Sequence, residues 1–324
     1  MTAPTHRERV LGGLWGSAVG DALGVPVEFR SRAEVQANPV TDMRAYGSHH
    51  QPKGTWSDDT SLMLCTVESL LGGFDTSDMG RRFVSWLNEN RWTPWGTVFD
   101  AGLTTTDAIL RMASGTSAEQ AGGTDQFTNG NGSLMRILPV ALRYAFEPAT
   151  CHIQRAHRVS SITHGHPRSQ MACGFLCLLV HGLHKGWDAR KAFDSAKNEF
   201  ARLYQDAPFC QEAHYFQLLS TDRFDELPAS EISSSGYVVH TLTASVWSLL
   251  TSRTFEETVL KAVNLGGDTD TTGCVAGGLA GVLYGLPAVR ADWINTLARK
   301  GDLDCLFNEF ADLCESEKKQ EAVE

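Results

Sequence analysis

Three observations predict an all-α fold, a single compact orthogonal multi-helix domain. Apolar residues recur at three- and four-residue spacing through almost every segment. Prolines fall mostly between those segments, at Pro94, Pro148, Pro167, Pro208, Pro228 and Pro287, where a helix must stop or start. Alternating strand patterns and tight hairpin turns are missing.

The elements follow in order. Gly12, Gly16, Gly20 and Gly24 recur every four residues in the first apolar segment, as do Gly273, Gly277, Gly281 and Gly285 in the last long one. On a helix such glycines form a smooth groove down one face, which admits another backbone. Each costs roughly 1 kcal/mol of helix propensity against alanine, so the two ladders predict two helices packed closely at the centre of the fold. Ser57 opens the next helix, with Asp58 and Asp59 in its first turn and Leu62, Cys65, Val67, Leu70 and Leu71 continuing the pattern to Gly72. Similar spacing predicts helices over 81–88, 98–112, 134–146, 168–184, 188–204, 237–250, 255–263, 271–284 and 303–314. No composition break divides residues 1–324, and the charged stretch 315–324 is expected to fray.

The chain carries 28 Lys and Arg against 38 Asp and Glu, a net charge of −10. With no basic block, that balance excludes nucleic acid as the main partner, because phosphate-backbone affinity comes from clustered Lys and Arg. The apolar stretch after Val10 is interrupted by Asp21 and crowded with glycine, so neither a signal peptide nor a membrane span is expected. Eight scattered cysteines read as thiols of a reducing compartment, which predicts a cytoplasmic protein. A monomer is expected.

Carboxylates and hydroxyls gather at three structurally special points: Ser57-Asp58-Asp59-Thr60, Asp268-Thr269-Asp270-Thr271 after Gly266-Gly267, and Gly20-Asp21 through Glu28. Each alone could be a helix cap with dipole-favoured acids. A cap needs one Ser or Asp, however, and the first two turns each carry an Asp pair beside hydroxyls. Hard oxygen ligands of this kind suit Mg²⁺, Mn²⁺ or Ca²⁺ rather than zinc. If the two turns face each other, Ser57, Asp58, Asp59, Asp268, Asp270 and Thr271 supply oxygens for a binuclear magnesium or manganese site. Without cations such carboxylates would repel and titrate upward.

A loop from Phe127 to Ser133, rich in Gly and Asn, is expected to open a helix whose N–H groups can hold a diphosphate without net positive charge. Two histidines, His164 and His166, sit at a helix-to-helix corner. Cys173, Cys177, His181 and His184 read as soft residues of a buried helix rather than a zinc site.

Five of these motifs in order resemble the ADP-ribosylglycohydrolase family: Gly20-Asp21-Ala22-Leu23-Gly24 through Glu28, Ser57-Asp58-Asp59-Thr60, Gly130-Asn131-Gly132-Ser133-Leu134-Met135-Arg136, Thr163-His164, and Gly266-Gly267-Asp268-Thr269-Asp270-Thr271. The resemblance implies an all-α fold and a centre of two divalent ions, Mg²⁺ or Mn²⁺, held by Ser57, Asp58, Asp59, Asp268, Asp270 and Thr271. It implies catalytic carboxylates at Asp100 and Glu28, with Asp59 at the metals beside them. The loop Thr128, Asn129, Gly130, Asn131, Gly132, with His164 and Tyr237, is similar to the family's ADP-ribose-binding positions. The implied activity removes ADP-ribose from a modified side chain of a protein or ADP-ribosyl amino acid, with Asp100 pointing toward arginine. Leu103 departs from the polar residue of the nitrogenase-regulating branch, which loosens the alignment of Asp100. Two other readings stand beside it. One is a metal-dependent nucleotide diphosphate phosphohydrolase, whose usual helical form needs His-Asp pairs absent here. The other is a catalytically silent ADP-ribose-binding relative.

Overall fold

The computed structural model of the chain describes residues 3–321, with side chains up to Lys318. Its helices are α1 His6–Gly24, α2 Arg32–Ala37, α3 Asp58–Leu71, α4 Thr76–Glu89, α5 Leu103–Ala113, α6 Ala118–Ala121, α7 Leu138–Arg143, α8 Ala149–Ser161, α9 Pro167–His184, α10 Ala189–Leu203, α11 Val238–Leu250, α12 Phe255–Val263, α13 Thr269–Tyr284, α14 Ala291–Thr296 and α15 Lys300–Glu321. The fold is all-α. Among the described residues the extended pairings are isolated bridges, Tyr46 with Gln51, Gly123 with His164 and Gly130 with Tyr237.

The glycine ladders meet as the spacing predicts. A Cβ added at Gly16 would collide with the Gly277 carbonyl, and one at Gly277 with the Gly16 carbonyl. Gly20 and Gly273 are opposed in the same way, as are Gly12 and Gly281. α1 and α13 therefore pack main chain against main chain, and Leu14, Ala18, Val19, Leu279 and Val282 are buried around them. By length and composition α1 could cross a membrane, but its apolar window lies wholly inside the protein.

Several element boundaries differ from expectation. α4 begins at Thr76 rather than residue 81, because the Asp75 carboxylate accepts the Ser77 and Asp78 N–H groups and caps it. α5 begins only at Leu103; the predicted start at 98 fails because Gly102 is extended and Asp100 has φ +53°, which breaks the helical run. Of the predicted helix over 134–146 only Leu138–Arg143 is helical, entered through Pro139 in its first turn. α8 was unexpected, although Ile153, Ala156 and Val159 mark its buried face. Over residues 315–321 the expected fraying gives way to helix: α15 continues to Glu321, with Glu317 ion-paired to Arg143 at 2.6 Å and Lys318 over the Phe146 ring. Residues 322–324 lie outside the described part of the chain.

Candidate metal centre and cleft

The two acid-rich turns face each other. Ser57 caps α3, its hydroxyl accepting the Asp59 N–H and donating to Asp59 Oδ2 at 3.0 Å. From the first turn of α13, the Thr271 hydroxyl donates to the same Asp59 Oδ2 at 3.3 Å. Asp268, just ahead of α13, accepts the Asn131 amide at 3.0 Å. Asp21, near the end of α1, accepts the N–H groups of Ser57 and Thr60 and the Thr60 hydroxyl, so it orients the α3 turn.

A cleft of ≈ 310 Å³ opens over these turns, and Glu28, Asp58, Asp100, Asp268 and Thr271 line it. Ser57, Asp59 and Asp270 are buried beside them. One ligand atom each of Glu28, His49, Asp100 and Asp270 lies within 4.8 Å of the others, a grouping that could hold a metal ion. Chemistry supports that fit. Asp59 Oδ1, Asp268 Oδ1 and Asp270 Oδ2 are buried without any hydrogen-bond partner. Unpaired buried carboxylate oxygens are costly, and divalent cations are the partners such oxygens suit.

Electrostatics agree. Burial first, and then the neighbouring carboxylates, push Asp58, Asp59 and Asp270 well above the usual carboxylate range. Asp268 is raised by burial against the opposing help of its hydrogen bonds. Glu28 is pushed up to about 7 by burial, with Asp100 and Asp268 adding to it and the His49 bond resisting. The bond to Glu28 in turn raises His49. A bound cation would reverse the upward shifts.

The opposite wall consists of Gly130, Asn131, Gly132 and His164. Asn131 ties it in, on one side to Asp268 itself. Asn131 Nδ2 also donates to Thr241 Oγ1, and Asn131 N–H donates to Gly236 O. The loop does not open a helix, since turns intervene before α7, so a helix N-terminus is not offered to a phosphate there. Thr128 and Asn129 turn their side chains back into the loop, to Asp125 O and to Gln126 O and Ser169 respectively. Tyr237 caps the start of α11 beside the cleft, its backbone paired with Gly130 and its buried hydroxyl without a partner. Behind the wall, Arg136 Nη2 donates to Thr163 Oγ1 at 2.7 Å, and Thr163 Oγ1 lies 2.9 Å from His164 Nδ1. The Cε1–Nε2 edge of the imidazole faces Gly130 and Gly132. Burial, with Arg136 adding to it, lowers His164 to about 3 and keeps it neutral.

Two site residues escaped the sequence reading. His49 reaches Glu28 from a loop with no periodic signal, and Asp21 was noted without its role as the partner of a turn far along the chain.

A family profile described as ADP-ribosylglycohydrolase matches residues 2–320. ADP-ribosylarginine hydrolase Tri1 of Pseudomonas putida is 31% identical over 96% of this chain and 80% of its own. ADP-ribosyl-(dinitrogen reductase) glycohydrolase of Rhodospirillum rubrum is 32% identical over 93% of this chain and 94% of its own. A solved structure titled ADP-ribosylglycohydrolase-related protein complex superposes with a TM-score of 0.79 at 31% identity, covering 95% of this chain and 99% of that one. The motif order, the facing acid turns and these full-length likenesses lead to one conclusion: the chain belongs to the ADP-ribosylglycohydrolase family of hydrolases.

Proposed function

We propose that the chain removes ADP-ribose from a modified protein side chain, arginine first, by hydrolysing the bond at the ribose anomeric carbon. The carrying observation is the set of buried, unpartnered oxygens of Asp59, Asp268 and Asp270 on two opposed turns at the floor of one cleft. Ser57, Asp58, Asp59, Asp268, Asp270 and Thr271 would hold two divalent cations, Mg²⁺ or Mn²⁺. Such ions, when bound, orient sugar hydroxyls and acidify a nearby water.

The chain's own groups do the rest. One carboxylate, Glu28 or Asp100, takes a proton from the attacking water as its oxygen bonds to the anomeric carbon, and returns it to the departing group. The carbon–nitrogen bond breaks through an oxocarbenium-like state, and the departing guanidine takes up a proton. On the other wall, His164 and the Gly130–Gly132 backbone hold the ADP-ribose, with Tyr237 against it; Thr128 and Asn129 support the loop. The name of the Pseudomonas relative favours arginine. Free cysteines, five of them buried, support a reducing cytoplasm. The family profile's match over residues 2–320 supports a single domain.

The test is one assay on ADP-ribosyl-arginine and ADP-ribosyl-serine peptides with Mg²⁺, Mn²⁺ or chelator. Intact ADP-ribose, released from the arginine peptide only with metal, is expected. Release in chelator, or AMP as product, overturns the reading.

A further inference from the structure

Glu28 stands at the mouth of the metal centre on a segment whose backbone is secured twice. Phe29 N–H donates to Gly267 O at 2.7 Å and Gly267 N–H to Arg30 O at 2.8 Å, which joins the segment to the turn that presents Asp268. On the other side, Ser48 Oγ donates to Glu28 O at 2.6 Å. The carboxylate itself has one side-chain hydrogen-bond partner among the described residues, His49 Nε2 at Glu28 Oε2. Both groups are largely out of solvent, the side chains being 15% and 5% exposed.

The turn that delivers His49 is strained for no gain in the core. It is a single helical turn, Gly47–His49, flanked by Tyr46 at φ +65° and His50 at φ +54°, and Tyr46 is 62% exposed. Non-glycine residues in that region cost about 1–3 kcal/mol each and persist where surrounding structure holds them. Here Tyr46 N–H donates to Gln51 O, and Gly47 abuts the Pro26 carbonyl so closely that a Cβ would collide with it. The His49 ring lies 5.8 Å from the ring of Phe29 and 5.3 Å from that of Phe99. Those two residues directly follow Glu28 and precede Asp100, so one imidazole packs against both loops that bring carboxylates to the cleft.

We propose that His49 is a positioning residue: its Nε2–H holds the Glu28 carboxylate in the cleft, and its ring keeps the Glu28 and Asp100 loops in mutual register. This rests on the reading of Glu28 as a working carboxylate of the metal-dependent site. While Nε2 donates its proton to Glu28 it has no lone pair to give a cation, so within the grouping that could hold an ion His49 acts through Glu28 rather than as a ligand by that nitrogen.

The test is a double-mutant cycle with H49F, H49Q, E28Q and H49F/E28Q, read by turnover of an ADP-ribosyl-arginine peptide and by calorimetric Mn²⁺ titration. H49F is expected to lose about 10- to 100-fold in kcat, the usual cost of removing an outer partner, with KM nearly unchanged. H49Q, whose amide can reach the same carboxylate, recovers most of that loss. In the E28Q background H49F costs nothing further in kcat, and Mn²⁺ affinity falls alike in H49F, E28Q and the double variant. Additive losses, an H49F protein with wild-type kcat, or a fall in Mn²⁺ affinity that H49F shows and E28Q does not, would overturn the proposal. If wild type turns over no ADP-ribosylated peptide, the functional reading fails, and the Mn²⁺ cycle alone then decides the role of His49.

Discussion

The two walls of the cleft are built on opposite principles. On one, Asp58, Asp59 and Asp270 are buried with the half-buried Asp268 beside them, and three of the oxygens of this group have no partner. On the other, Arg136, Thr163 and His164 form a chain of hydrogen bonds and Asn131 is tied separately to Thr241, although Arg136 Nε and Nη1 stay unpaired deep behind it. On the proposed reading, the wall carrying His164 is preformed by the chain, whereas the acidic wall is complete only with cations. Stability and activity should therefore separate when each wall is disturbed.

The largest effect removes the scaffold of both. Gly277→Leu places a side chain where the Gly16 carbonyl already sits, so no cooperative melt is expected by circular dichroism. A wild-type melting temperature would contradict the main-chain contact.

Next comes the acidic wall alone. Asp270→Asn should lose more than the roughly 10- to 100-fold typical of outer-shell changes, yet melt in chelator no lower than wild type, because a repelling charge is gone. Wild type should gain about 2.7 kcal/mol at a hundredfold excess of Mn²⁺ over its dissociation constant, seen as a higher melting temperature. Asp270→Asn should lose most of that gain.

A smaller effect marks the preformed wall. Thr163→Val strands His164 Nδ1 and leaves Arg136 Nη2 only its longer bond to Val159 O at 3.3 Å, at a cost of about 1–3 kcal/mol. KM should rise and the melting temperature fall, while the Mn²⁺-induced shift stays as in wild type. A changed Mn²⁺ shift would mean that the walls are not independent.

The smallest effect is the pH response, of opposite sign on the two walls. Glu28 is raised from 4.5 to about 7 in the fold, so in chelator its contribution is full below pH 4.5 and lost as pH rises through 7. His164 is lowered from 6.5 to about 3, so its contribution is full above pH 6.5 and lost as pH falls toward 3. Urea melts across this range should show E28Q flattening the loss on the neutral side and H164Q flattening the loss on the acid side. Mn²⁺ should suppress the first and leave the second.

Which parts were legible in the sequence follows from the range of each interaction. The glycine ladders carry their own spacing, so the pairing of α1 with α13 could be read directly. The two acid turns were legible because each ligand set is contiguous, from Ser57 to Asp59 and from Asp268 to Thr271. His49 was not, because its meaning depends on Glu28 lying opposite, and neither loop has a repeat to predict that approach. Asp21 looked like one more acid of the cluster; only the fold shows it already satisfied by Ser57 and Thr60. The short α7 and the extended run before α5 were lost to an apolar spacing that continues through turns, where Pro139 and Asp100 override it.

Main chain meeting main chain along α1 and α13 makes that interface a gauge block. Its thickness is fixed by peptide dimensions, which no substitution changes, and it reaches the cleft itself, where Gly24 lies against the backbone of Asp270. The span from Asp21, which sets the α3 turn, to the α13 turn is thus inherited from covalent geometry. An engineer seeking a larger or smaller ion would find nothing adjustable on that side. The tolerance of the centre lies instead in α3 and in the loop of Glu28, whose positions are held by side chains and hydrogen bonds that can be exchanged.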